Sequence, residues 1–166
     1  TDIIRDNFQV KIKPDGLNRF LAEKISKTSA VSIHIRRGSY VASQKYFKVH
    51  GSAPVEYYFR AVEFLKKKLK SPHFFVFSDD HDWVKGNLRI PTKKVTFITN
   101  NKSEKAYEDL RLMMCCKYHI IANSTFSWWG AWLARYSEKI VIAPKKWFND
   151  QSIDTADLIP ESWIRM

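Results

Sequence analysis

Cysteine is nearly missing from this chain of 166 residues. Its two cysteines, Cys115 and Cys116, are adjacent within an apolar helical stretch. Sequence neighbours rarely close a bridge on one another, so the pair reads as reduced core residues in a reducing compartment. Long apolar runs are missing too, for none approaches the roughly 20 residues that a membrane span requires. The opening residues, Thr1-Asp2-Ile3-Ile4-Arg5-Asp6, are mixed and charged, which leaves no signal peptide visible. There is no initiator Met, so the chain reads as a piece excised from something longer. Internal repeats and low-complexity segments are absent. Acidic charge is short: 17 Asp and Glu face 28 Lys and Arg, for a net charge of +11. Such an excess admits nucleic acid, an acidic membrane surface or a small polyanion such as a nucleotide as partner. No helix-turn-helix, zinc finger or RNA-recognition consensus is present, so nucleic acid is the minor reading. The lysine run Lys66-Lys67-Lys68-Lys70 ends a predicted helix, where cations suit the dipole, and reads as a solvated face.

What is present is a regular alternation. One domain's length, 45% hydrophobic and 27% charged residues describe an ordinary globular protein able to bury a core. A polar lead-in from Thr1 to Pro14 precedes a helix over Leu17 to Lys27, with Leu17, Phe20, Leu21 and Ile25 on its apolar side. Ala30-Val31-Ser32-Ile33 reads as a buried strand, and Val41 to Ala53 as a long loop. A helix starts at Pro54 and runs to about Lys70, burying Tyr58, Ala61, Val62, Leu65 and Leu69. Strands follow at Phe74–Phe77, Val95–Ile98, Tyr118–Ala122 and Lys139–Ala143. Helices lie between them at His81–Asn87, at Glu104–Cys116 with Ser103 as N-cap and Ala106, Leu110, Met113 and Met114 inward, and at Phe126–Tyr136. Residues 145–166 read as an irregular tail packing back on the domain. Five strands alternating with helices predict a Rossmann-like α/β fold, a parallel sheet with helices on both faces.

Three polar clusters fall at strand ends, where open α/β sheets bind ligands. The first is His34-Ile35-Arg36-Arg37-Gly38-Ser39-Tyr40. Paired guanidiniums suit phosphate oxygens, although a lone Arg-Arg is also found in ordinary surface ion pairs. In the second, Phe77-Ser78-Asp79-Asp80, a carboxylate caps the next helix or receives a nucleobase edge or ribose hydroxyls. Asp80-His81-Asp82 also spells a weak metal pattern. The third runs from Asn123 through Leu133. Ser124 and Thr125 begin a helix, whose free N–H groups make an anion site. Gly130 and Ala131 let that helix lie close to the sheet or to a ligand. Trp128, Trp129 and Trp132 read as core. Asn123-Ser124-Thr125 matches a glycosylation sequon, discounted at a buried strand-to-helix junction.

His34-Ile35-Arg36-Arg37-Gly38 with Tyr40, Phe77-Ser78-Asp79-Asp80 with Trp83, and Asn123-Ser124-Thr125-Phe126-Ser127-Trp128-Trp129-Gly130-Ala131-Trp132-Leu133 resemble, in order and spacing, the three motifs of the α-1,2-fucosyltransferases, glycosyltransferase family 11. The resemblance runs from Val31 through Pro144. It implies a membrane-associated, two-domain GT-B-type transferase of carbohydrate metabolism whose C-terminal half binds GDP-fucose. It also implies inverting transfer to the 2-hydroxyl of a galactose-terminated glycan, with no metal or other cofactor. Residues 1–29 are then a lead-in, 30–144 the nucleotide-sugar-binding domain and 145–166 the tail.

Carried over by position, His34 and Arg36 are catalytic. The donor-binding set is Arg36, Arg37, Ser78, Asp79, Asp80, Asn123, Ser124, Thr125 and Phe126, with Arg36 on the β-phosphate and the two aspartates facing the nucleoside. No metal ligand is expected. The family has an acidic residue where this chain has Ser39. The location implied is cytoplasmic, with peripheral contact to a bacterial inner membrane through the basic surface. Two other classes remain beside the transferase: a non-catalytic nucleotide-sugar or glycan-binding module, and a basic nucleic-acid binder.

Overall fold

The computed structural model describes residues 2–166, with the side chains of Asp2 and Ser39 outside the described set. Six strands form one sheet: β1 Ala30–Ile35, β2 His73–Ser78, β3 Val95–Ile98, β4 Tyr118–Ile120, β5 Ile140–Ala143 and β6 Ile164–Arg165. Their order is β3-β2-β1-β4-β5-β6, and every pairing is parallel. The helices are α1 Asp2–Asn7, α2 Gly16–Ser26, α3 Gly38–Ala42, α4 Gln44–His50, α5 Val55–Lys68, α6 His81–Asn87, α7 Ala106–Met114 and α8 Thr125–Leu133. Among the described residues, no helix is long and apolar enough to cross a membrane.

The central strands are covered on both faces, as parallel sheets require, and β1 is buried along its whole length, whereas β3 and β6 at the edges are partly exposed. Alternation splits its side chains between two cores. Val31, Ile33 and Ile35 pack with Phe74 and Val76 of β2 against Tyr57, Tyr58, Ala61, Val62 and Leu65 of α5. Ala30, Phe75 and Phe77 face the other way, against Leu21 and Ile25 of α2 and Leu112 and Met113 of α7. A third cluster joins Ala131 of α8 to Trp147, Ile159 and Trp163 of the C-terminal segment. The chain builds outward from β1 to β3, then returns through α7 to place β4 on the other side of β1. The order therefore reverses between β1 and β4, which is where sheets of this kind open a crevice at their carboxyl ends.

Several expectations need correction. Most of the segment read as a loop, Val41 to Ala53, lies within α3 and α4, and only Ser43 and the stretch from Gly51 to Ala53 fall outside them. No residue of α4 is buried, so there was no 3.6-residue apolar stripe to read. Gly51 closes α4 at φ 64, a left-handed conformation that favours glycine. The lead-in carries α1, whose Ile3 and Ile4 are exposed. In α2 the inward stripe is rotated: Leu17 and Phe20 are exposed, and the buried residues are Asn18, Leu21 and Ile25. Ser103 does not cap a helix but starts a 3-10 turn, Ser103–Lys105, ahead of α7. In α7 the deepest residues are Glu108, Leu112 and Met113 rather than Ala106, Leu110 and Met114. The tail supplies the sixth strand, too short for any period to show. Backbone bonds from Lys145 N to the Met166 carbonyl (2.6 Å) and from Met166 N to the Ala143 carbonyl (3.0 Å) secure it.

One buried hydroxyl ties α5 to the sheet. Tyr57 Oη lies 2.8 Å from the Ile121 carbonyl and 2.9 Å from that of Ile142, donating to one at a time. Tyr57→Phe removes that donor from a buried setting and should lower stability by about 1–2 kcal/mol. Urea unfolding is the measurement, with a lower midpoint and an unchanged slope expected.

Candidate functional site

A cavity of about 510 Å³ opens over the carboxyl ends of β1 and β2 and against the start of α8. Of the expected site residues, His34, Arg36, Ser78, Asp79, Ser124, Thr125 and Phe126 line it. Arg37, Asp80 and Asn123 are not among its walls, and each has a structural engagement instead.

Asp79 organises the first wall. One carboxylate oxygen lies 2.8 Å from Arg36 Nη1, and the other accepts the Arg37 backbone N–H at 2.9 Å. A Cβ built on Gly38 would overlap Asp79 Oδ2, so glycine at 38 is what lets this carboxylate approach. The Arg36 guanidinium also lies 5.3 Å from the centre of the Tyr40 ring, itself on the cavity wall. Arg37 turns away. Its guanidinium stacks 3.7 Å from the Trp83 ring centre and its Nε lies 3.4 Å from Asp80 Oδ2. The other oxygen of Asp80 accepts the Trp83 N–H at 3.2 Å and so caps α6. Ser78 Oγ accepts the Asp80 N–H at 3.0 Å, fixing the turn that follows β2.

The second wall is the start of α8. Ser124 stands at the N-cap with extended backbone and no side-chain cap bond. The first-turn N–H groups of Thr125 and Phe126 are therefore uncapped by that side chain at the cavity. At the far end, Lys139 Nζ donates to the carbonyls of Ala131, Trp132 and Ala134 at 2.7, 3.0 and 2.7 Å. That cation complements the helix dipole, although burial lowers its pKa to about 8. Asn123 uses its amide to donate to the His50 and Trp147 carbonyls at 2.9 and 3.0 Å, joining α4 and the C-terminal segment to the end of β4. Gly130 meets Met113 of α7, so its smallness serves helix packing and not a ligand. Trp128 and Trp132 stack in a cluster with Trp163, and Trp129 stacks on Phe8. The expectation that these tryptophans are core needs correction: all three are half-buried, Trp128 and Trp132 packing against the third cluster and Trp129 against the exposed Phe8.

His34 is 5% exposed, and its ring lies 5.5 Å from that of Phe126. Burial drives its pKa down to about 4, with Asp79 opposing and Arg36 assisting, so the imidazole is neutral at pH 7. Its Nδ1 has no hydrogen-bond partner among the described residues. The Ser39 side chain lies outside them.

Similarity to known proteins accords with this arrangement. The model of glycosyl transferase family 11 matches residues 1–166. The chain belongs to glycosyltransferase family 11. It is 43% identical over 149 residues to the alpha-1,2-colitosyltransferase of Escherichia coli, a match covering 88% of this chain and 50% of that protein. It is 39% identical over 140 residues to the O-antigen biosynthesis glycosyltransferase WbnK of Escherichia coli, covering 83% and 45%. The human galactoside alpha-(1,2)-fucosyltransferase 1 is 30% identical over 106 residues, covering 63% and 28%. The chain thus spans about half the length of the first two relatives.

Within this family member the third wall was missed from the sequence. It consists of Asn101, Lys102 and Ser103 after β3, with Ala106, Asp109 and Met113 of α7. The last three are spaced by three and four, one face of a helix, which is the signal that could have found them. Asp109 accepts a hydrogen bond from Asn101 Nδ2 at 2.7 Å, and that amide also donates to Asn18 Oδ1 at 3.0 Å. Asn18, fully buried, donates back to Asn101 Oδ1 at 2.9 Å.

Burial pushes the Asp109 carboxyl up to about 6, and the Asn101 hydrogen bond only partly opposes this. A folded pKa above the unfolded one makes ionisation costly to the native state. That cost is absent below about pH 4, grows towards pH 6 and is fully present above it. Asp109→Asn should therefore raise stability by about 2 kcal/mol at pH 7.5 and leave it unchanged near pH 4. Thermal unfolding of both proteins across that range measures the difference.

Proposed function

We propose that this chain is the donor-binding part of a galactoside α-1,2-fucosyltransferase of GT-B type, and that the cavity takes GDP-fucose. The observation that carries the reading is the convergence of Arg36 and the α8 N-terminus on one cavity at the sheet's switch point. A guanidinium and helix N–H groups together suit a diphosphate. The motif order and the human relative's name add the sugar and the linkage.

The chemistry is a single displacement with inversion. A galactose 2-hydroxyl attacks the fucose anomeric carbon, the bond from that carbon to the β-phosphate oxygen breaks, and GDP leaves. Negative charge grows on the leaving oxygen, and Arg36 with the α8 N-terminus stabilises it. At an effective dielectric near 20, opposite charges about 4 Å apart interact by roughly 4 kcal/mol, of which only the transition-state gain speeds reaction. His34, held neutral with a pKa near 4, is a weak proton acceptor at pH 7, so we assign it to shaping the phosphate pocket. The general base is then a group other than His34. Asp80 has its oxygens engaged by Arg37 and the α6 N–H, which supports binding without a divalent metal.

The colitosyltransferase relative favours a second reading in which the donor carries colitose. Transfer assays on the full-length protein with GDP-fucose and GDP-colitose, each against galactosides, separate the two. Robust transfer of fucose is expected. Exclusive use of GDP-colitose would move the assignment to the second reading.

Binding provides the test on this chain. Calorimetry should show GDP bound more tightly than UDP, with or without EDTA, and Arg36→Ala should weaken GDP binding about tenfold or more. A large gain in affinity on adding manganese would revive Asp80-His81-Asp82 as a metal site. The isolated chain should bind donor and transfer no fucose, because reaction needs donor and acceptor held within about 3–3.5 Å. Transfer by the isolated chain would overturn its assignment as a half-site.

A further inference from the structure

The carboxylates expected to face the nucleoside are already engaged. Asp79 holds Arg36 and the Arg37 backbone, and Asp80 holds Arg37 and caps α6. A different acid stands in the cavity with capacity to spare. We propose that Asp109 reads the base of the bound nucleotide, its carboxylate accepting the adjacent N1–H and N2–H groups of a guanine seated against α7. This rests on the donor-site reading above and adds which residue selects the nucleotide.

Asp109, Ala106 and Met113 share one face of α7 and all line the cavity, as do Arg36, Ser124 and Thr125 on its other walls. Phosphate-binding groups and this carboxylate are therefore parts of one pocket. Between them, Ala106, Met113, Phe77 and Phe126 give apolar surface against which a flat ring can lie. The carboxylate is also fixed in advance. Asn101 Nδ2 holds Asp109 Oδ1 at 2.7 Å, and Asn101 exchanges hydrogen bonds with the buried Asn18. Asp109 Oδ2 has no partner among the described residues. An acceptor oriented by an amide that is itself held by the buried Asn18 needs little ordering when a ligand arrives.

The chemistry selects the base. An ionised carboxylate only accepts hydrogen bonds. Guanine offers two neighbouring donors on one edge. Uracil flanks its single N–H with carbonyl oxygens, and adenine and cytosine set a ring acceptor beside their amino group, so each turns lone pairs towards Asp109. A partly desolvated acid, its pKa raised by burial, gains most from a ligand that restores its donors. The competing role is structural, with Asp109 serving only to complete the Asn18–Asn101 amide network.

Calorimetry on the wild-type chain and Asp109→Asn separates these roles, using GDP, inosine diphosphate, UDP and xanthosine diphosphate. In the wild type, inosine diphosphate, lacking the 2-amino group, should bind about tenfold more weakly than GDP. In Asp109→Asn, GDP should weaken by about tenfold or more, while xanthosine diphosphate gains. The asparagine amide donates to the xanthine 2-carbonyl and its oxygen accepts N1–H. A gain for one nucleotide is not produced by damaged folding. If Asp109→Asn keeps the wild-type ranking of nucleotides, the base is read elsewhere and this inference falls while the donor site stands. If the wild type binds no nucleoside diphosphate, both readings fall. Should Asp109→Asn in the full-length protein abolish transfer with GDP affinity unchanged, Asp109 serves the acceptor step, and the inference is again overturned.

Discussion

The approach of Asp79 to the backbone after β1 is the constraint on which the site depends. A single carboxylate receives the Arg37 N–H and pairs with the Arg36 side chain, and both contacts require a residue without Cβ at position 38. With side chains 35% and 25% exposed, the ion pair itself adds little to stability, on the order of 0–1 kcal/mol. Its effect is directional. Two adjacent arginines leave the same strand end, and Asp79 keeps one on the cavity while Asp80 and Trp83 draw the other against α6. Identical side chains one residue apart thus acquire different tasks through the two aspartates that face them.

The sheet determines where those groups meet the rest. Because β4 returns beside β1, the helix that follows β4 begins next to the arginine-bearing strand end. Its positive end faces the cavity, and its negative end is closed by Lys139, a cation held at some cost, since burial lowers its pKa to about 8. Trp128 and Trp132 between these ends pack against the C-terminal segment, with Trp128 Nε1 donating to the Leu158 carbonyl at 2.8 Å. The stretch from Asn123 to Leu133 is therefore mostly packing. Only Ser124, Thr125 and Phe126 of it line the cavity.

That division explains what was legible in the sequence. Buried strands of β-branched and aromatic residues, and α5 with its stripe of Tyr58, Ala61, Val62 and Leu65, announce themselves by period and burial, although the period missed Tyr57 and overran to the half-buried Leu69. The parallel α/β architecture and the strand-end clusters followed from them. Elements without a buried face did not: α1, α3 and α4 are short, and β6 exists only because β5 offers it an edge. In α2 the error came from equating the buried stripe with the apolar one. Asn18 is buried there because Asn100 and Asn101, some 80 positions later, supply its hydrogen bonds, and no local pattern reports that. The same long-range pairing hid Asp109, whose orientation is set by residues from two other segments.

His34 and Asp109 show how such a cavity treats charge. Burial lowers the pKa of one and raises that of the other, and in both cases the neutral form is favoured. At pH 7 His34 has yielded and is neutral, whereas Asp109 stays mostly ionised against that pressure. A protein selected for stability alone would place an amide at position 109, keep the bond from Asn101 and avoid the desolvated charge. Retaining a desolvated carboxylate on a ligand-sized cavity, with its orientation set by Asn101 and the buried Asn18, is the pattern of a group whose missing donors arrive with a ligand.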